Sequence, residues 1–155
     1  MRGRLNNVMV KTGPLARAAT RFHVFLHARG RSSLIDRYFG APLVTLTVRG
    51  RRTGRPRSVL LILTRRGDDI LVTPSNAGSA TTPAWFLNLM EARTATVDVA
   101  GQRWEVAARR VDGDERRECW SILVEAYPDL VVYQRLTNRT IPVVVLERVA
   151  AQCGS

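Results

Sequence analysis

Two aliphatic, β-branched runs, LVTLTV (43–48) and SVLLIL (58–63), flank a segment, RGRRTGRPR (49–57), that holds five arginines, two glycines and a proline. Runs of that composition read as strands, and the glycine- and proline-bearing break between them reads as a turn. The pair is therefore antiparallel. The same punctuation recurs. RRGDD (65–69) is a turn, and ILVTP (70–74) is a strand stopped by its proline. TATVDVA (94–100) turns at Gly101 into QRWEVAARRV (102–111), and IPVVVLERV (141–149) closes the chain as a buried strand. Strands joined by tight turns, without a βαβ rhythm, argue against a doubly wound sheet. They predict an α+β fold, mainly antiparallel, with about six strands as a sheet or small barrel and peripheral helices.

Helical periodicity appears between these runs. Pro14 can open a helix through LARAATRFHVFLHARG, ending near Gly30, with Leu15, Ala18, Ala19, Phe22, Phe25 and Leu26 on one face and arginines opposite. Such a basic amphipathic helix either covers the core or lies on a membrane surface. Residues 1–13 are polar and are expected to be mobile. Thr82 can cap a helix over PAWFLNLMEA (83–92), with Pro83 in its first turn. Asp112 followed by Glu115 resembles a capping box for a helix carrying Trp120, Leu123, Val124 and Tyr127. Pro128 ends that helix, and LVVYQRLTNR (130–139) is a short helix or turn.

Twenty-four Lys and Arg against thirteen Asp and Glu give a net charge of +11, and Lys11 is the one lysine. Guanidinium forks suit phosphate and carboxylate. The charge admits nucleic acid, an anionic membrane surface or a small polyanionic ligand. No recognition helix or RNA-binding signature accompanies it, so specific nucleic-acid binding is not expected. No apolar run reaches the length of a membrane span. The first residues lack the pattern of a signal peptide. Cys119 and Cys153 have no metal-ligand spacing, and a cytoplasmic protein is expected, with membrane association through the basic helix left open.

Most catalytic patterns fail. His23 and His27 stand four apart but lack the glutamate of a zincin and a third ligand, so no metal is expected. No Gly-x-Ser-x-Gly is present, no histidine follows His27, and neither a P-loop nor a Gly-x-Gly-x-x-Gly occurs. What remains is the arginine turn, read as a solvated hairpin tip or as a grip for an anion. Beside it stand a small-residue loop, SNAGSATT (75–82), and an aromatic set, Trp85, Phe86, Tyr127 and Tyr133, that could line a pocket for a ring.

TVRGRRTGRPRSVLL, TPSNAGSATTPAWFLNLMEARTATVDV and AYPDLVVYQRLTNRTIPVVVLE together resemble the deazaflavin-dependent nitroreductase family, whose members use coenzyme F420. The resemblance runs from about Leu43 to Glu147 and implies a split β-barrel related to flavin-binding oxidoreductases. It implies a coenzyme-binding domain over 31–150, preceded by the segment and helix of 1–30. The coenzyme's phosphate and oligoglutamate tail would meet Arg52, Thr53, Gly54, Arg55, Pro56 and Arg57. Leu60, Leu61 and Ile62 would pass near the ring. Ser75, Asn76, Ala77 and Gly78 would give backbone and polar contacts, and Trp85 would stand beside the ring. Tyr127 and Tyr133 would line the acceptor side and supply or relay a proton. FMN is the less favoured cofactor.

The chain departs from the family at Ala77, where a glycine is usual, at Thr82, at Phe86, and at Leu130, where a tyrosine is usual. The coenzyme end is intact and the acceptor end altered, so nitroimidazole reduction is not carried over. The implied activity is hydride transfer from reduced F420 to an electron-poor quinone, nitroaromatic or enone. The alternative is a non-catalytic deazaflavin or flavin carrier of the same fold. A homodimer is compatible with either.

Overall fold

The computed structural model describes residues 41–150. The elements expected over 1–30, with His23 and His27, lie outside the described residues, as does Cys153. Within them seven strands run β1 (Leu43–Arg49), β2 (Pro56–Ile62), β3 (Thr64–Arg66), β4 (Asp69–Val72), β5 (Thr94–Val99), β6 (Gln102–Val111) and β7 (Val143–Arg148). Three helices accompany them: α1 (Ala84–Ala92), α2 (Gly113–Ala126) and α3 (Asp129–Leu136). The strands form one sheet in the order β2-β1-β5-β6-β7-β4-β3, and each neighbouring pair is antiparallel.

The order forces curvature. β2 and β3 are the two edges, yet only Leu63 separates them. Six interstrand gaps of about 4.8 Å would put the edges of a flat sheet about 29 Å apart. Two Cα–Cα steps reach about 7.6 Å at most. The sheet must therefore curl until its edges meet at Leu63, whose N–H donates to Pro42 O at 2.8 Å and extends the β1–β2 ladder. The run expected as a strand over 58–63 lies in β2 up to Ile62, and the added strand β3 takes Thr64 and the first residues of the turn expected at 65–69, whose last residue begins β4. This raises the count from about six strands to seven.

The inside of the curl is aliphatic. Val44, Leu46, Val48, Ile70, Val72, Val97, Val106, Val144 and Leu146 form one cluster with Phe86 and Leu89 of α1. Each such side chain fully removed from water contributes about 1.5–3 kcal/mol. A second cluster on the other face joins Leu71, Val143 and Val145 to Cys119, Leu123 and Leu130 of α2 and α3. Every second residue of β4 and β7 faces the opposite cluster, as strand geometry requires.

Two expected caps are not formed. Pro83, not Thr82, occupies the cap of α1, and it makes no side-chain capping bond. Asp112 caps α2 without a side-chain bond. Glu115 instead receives Arg109 through two hydrogen bonds of 2.7 and 2.9 Å and Arg66 at 3.2 Å. Charged guanidinium partners outweigh a neutral backbone N–H as targets for that carboxylate. The pairs hold α2 to β3 and β6, and Arg109 Nε continues to Glu147 of β7 at 2.7 Å. Burial pushes the Cys119 thiol up, against the opposing effect of Arg66.

Candidate functional site

The β1–β2 connection is a closed loop. Gly54 N–H donates to Gly50 O, and Gly50 N–H to Arg55 O, each at 2.8 Å. Gly54 has φ +69°, a conformation that a side chain disfavours. The four arginines after Gly50 divide by partner. Arg51 turns inward: its backbone N–H and Nη1 both donate to the buried Asn88 Oδ1, at 3.2 and 2.9 Å, and so tie the loop to α1. Arg52, Arg55 and Arg57 are exposed, and their guanidinium groups have no hydrogen bond or ion pair among the described residues. Like charges held together without acids favour an anion among them. Thr53 Oγ1 accepts the Arg55 N–H at 3.3 Å and shapes the tip.

β2 leads away from this tip as an edge strand. Val59 and Leu61 pack on the first core cluster, so Leu60 and Ile62 face the other side of the strand, half-buried. Trp85 is half-buried on the same cluster and meets Phe86 edge-on, with centroids 6.2 Å apart.

The loop before α1 has an unusual backbone. Ser75 is right-handed, and Asn76, Ala77 and Gly78 follow with φ of 44°, 52° and 78°. A right-handed residue followed by a left-handed one converges successive N–H groups into an anion-binding concavity. The N–H groups of Ser75, Asn76 and Ala77 have no acceptor among the described residues. Ala77 carries a side chain where the left-handed region costs roughly 1–2 kcal/mol. Gly78 lies against α3, where a Cβ would stand 2.8 Å from Leu136 Cβ and 2.9 Å from Tyr133 O.

The tyrosines expected on the acceptor side are paired. The Tyr127 and Tyr133 hydroxyls are 3.0 Å apart, and their rings are tilted at 51°. Both pack against the second cluster. Leu130, between them, is buried in that cluster and serves packing, not the acceptor.

Contacts link these parts in sequence. The arginine loop joins α1 through Asn88, α1 follows the small-residue loop, and that loop joins α3 through Gly78. No contact joins the tyrosines directly to Arg52, Arg55 or Arg57 among the described residues. A cleft of about 250 Å³ between β1, α1 and β5 is lined by Arg49, Arg51, Asn88, Glu91, Ala92 and Thr94. It holds a carboxylate and none of the expected ring contacts, so it is not assigned to the coenzyme. Sequence reasoning missed Asn88 and Arg139. Their only local signals were an amide within an apolar helix and an arginine between helix and strand. Their partners lie 37 and 64 residues away, Arg51 for the first and Ser75 for the second.

Residues 19–148 match the family model of the F420H(2)-dependent quinone reductases. The chain is 33% identical over 133 residues to an F420H(2)-dependent quinone reductase of Mycobacterium tuberculosis strain H37Rv, covering 83% of this chain and 89% of the relative. A solved F420-H2 dependent reductase shares 32% identity with a TM-score of 0.65, covering 68% of this chain and 94% of that one. A second solved structure, described as a domain-swapped dimer, shares 28% identity with a TM-score of 0.68, covering 87% and 100%. The curled sheet is thus the α+β split barrel. Among the described residues no helix is long and apolar enough to cross a membrane.

Proposed function

The chain belongs to the F420H(2)-dependent quinone reductase family, and from that premise we propose that it reduces a quinone at a site running from the arginine loop to the tyrosine pair. It is an F420-dependent oxidoreductase, and what is proposed is the acceptor and the residues. The observation that carries the reading is the set of unpartnered forks on Arg52, Arg55 and Arg57. They fit a coenzyme with a phosphate and a polycarboxylate tail.

Thr53 and Gly54 close the loop that carries Arg52 and Arg55, and Pro56 opens the strand that carries Arg57. Leu60 and Ile62 offer one face of the edge strand β2 to the ring, while Leu61 packs on the core beside Trp85, whose indole borders the site. Ser75, Asn76 and Ala77 present N–H donors, and Gly78, whose own N–H bonds Ser75 O, closes the loop. When bound, the reduced coenzyme supplies a hydride from C5 of its ring. Reduction of a quinone to a quinol takes that hydride and one proton. Tyr133 Oη donates the proton to the acceptor oxygen, and Tyr127 Oη, 3.0 Å behind it, restores it. A phenol O–H can donate its proton or a hydrogen bond to the acceptor oxygen. The protein's part is to fix the geometry and keep water from the transfer.

Assembly as a homodimer is part of the proposal, supported by the domain-swapped similar structure. So is contact of the basic segment 14–30 with anionic lipid. The test is anaerobic oxidation of the reduced coenzyme by a soluble benzoquinone, a nitroaromatic and an enone. Preferred turnover of the quinone is expected; turnover confined to the other two would overturn the acceptor.

A further inference from the structure

Arg139 follows α3 and reaches back across the fold to the loop before α1. Its Nη2 donates to Pro74 O at 2.8 Å and to Ser75 O at 3.1 Å, and its Nε donates to Ser79 O at 3.0 Å. Its own carbonyl accepts from Gln134 Nε2 at 2.8 Å, and Gln134 Oε1 accepts from Ile141 N at 2.9 Å. The side chain is thus held from behind by α3 and by the start of β7. Its Nη1 is buried and without a hydrogen-bond partner.

One guanidinium therefore collects three carbonyls from a loop of six residues. A peptide group whose C=O points one way directs its N–H the other way. With the Pro74 and Ser75 carbonyls drawn onto Arg139, the free N–H groups of Ser75 and Asn76, which share those two peptide units, face away from it. Ala77 sits in the left-handed region, which an isolated alanine would leave. The charge-assisted bonds of Arg139 oppose that escape.

We propose that Arg139 is the positioning residue of the coenzyme loop: it holds the Pro74, Ser75 and Ser79 carbonyls so that the N–H groups of Ser75 and Asn76 form a nest for an acceptor oxygen of the coenzyme. The proposal rests on the assignment of this loop to the coenzyme. Because Gly78 packs on Tyr133 O and Leu136, the same clamp fixes the loop to the helix that carries Tyr133. Arg139 sets the distance between the donor side and the acceptor side without touching either reactant.

The test compares wild type, Arg139→Ala, Arg139→Lys and Arg139→Ala with Ala77→Gly. Amide hydrogen exchange without coenzyme reads the clamp directly. Faster exchange confined to the 75–79 loop is expected in Arg139→Ala and Arg139→Lys, since a lysine lacks the fork. Fluorescence titration reads the nest. The dissociation constant of F420 should rise about 10- to 100-fold in Arg139→Ala, as for a lost set of charge-assisted bonds. Added guanidinium, kept well below unfolding concentrations, should restore part of it. At saturating coenzyme kcat should fall less than the coenzyme KM rises. Ala77→Gly should soften the defect, because glycine holds the left-handed turn unaided.

If Arg139→Ala does not fold, Arg139→Lys decides by the same two readouts. Unchanged loop exchange and unchanged affinity in a folded variant overturn the proposal. Failure of the wild type to bind F420 overturns the coenzyme assignment instead, while the exchange experiment still judges the clamp. Titration with the coenzyme's ribityl deazaflavin fragment, which lacks the phosphate, separates the sources. Weakening of both ligands places ring oxygens in the nest, and weakening of F420 alone places the phosphate there.

Discussion

Arg51 and Asn88 meet at 2.9 Å across 37 residues of sequence, and the same amide oxygen also accepts the Arg51 backbone N–H. This buried acceptor fixes the base of the arginine loop to α1 and leaves the tip free. Asn88→Ala should destabilise the fold by about 1–3 kcal/mol, the range for a lost bond to a charged donor with its partner left unmet. Urea unfolding followed by tryptophan fluorescence measures it. A change within error would show that the loop is held otherwise.

The Tyr127–Tyr133 pair leads to a kinetic prediction. Tyr133→Phe should lower kcat for quinone about 100-fold, the low end of the range for general acid catalysis. Tyr127→Phe should have a smaller effect, since water can replace a relay. Coenzyme affinity should stay near wild type in both. Unchanged turnover in both variants would assign the hydroxyls to packing alone.

The hinge between loop and α3 is tested at Gly78. A methyl group there meets Leu136 Cβ at 2.8 Å and Tyr133 O at 2.9 Å, at a φ of +78°. Gly78→Ala should cost about 1–3 kcal/mol through overpacking and backbone strain. It should also raise the quinone KM, because α3 must shift. A thermal melt and steady-state kinetics together read both effects.

Acid stability depends on the Glu115 cluster. Hydrogen bonds from Arg109, then from Arg66, work against burial and hold the Glu115 carboxyl at about 2, below its ordinary 4.5. A carboxylate depressed in the folded state stabilises the fold above its unfolded pKa. That contribution is lost as pH falls from about 4.5 towards 2. Melting temperature should therefore fall more steeply over that window in wild type than in Glu115→Gln. Parallel curves would remove the cluster from the acid response.

The sequence made the hairpins legible because their signals are local. β1 and β2 show aliphatic runs around a glycine-bearing turn, and β5 and β6 join at Gly101. The short strand β3 was not legible, since its three residues are polar, two of them read as part of a turn, and edge pairing depends on the whole sheet. Glu115 fitted a capping box by spacing, but two distant guanidinium groups captured it. The arginine loop stood out by composition, yet composition could not separate Arg51, which is structural, from Arg52, Arg55 and Arg57. That distinction needed Asn88. Arg139 was hidden for the same reason: its three acceptors lie on another part of the chain.

The most direct test of the account is the affinity of F420 for the purified protein across a range of salt, beside a variant with Arg52→Ala and Arg57→Ala. The account predicts binding that weakens with salt, weakens about tenfold or more in the variant, and loses much of its salt dependence there. Binding that ignores both salt and the two forks, or no binding at all, would contradict it.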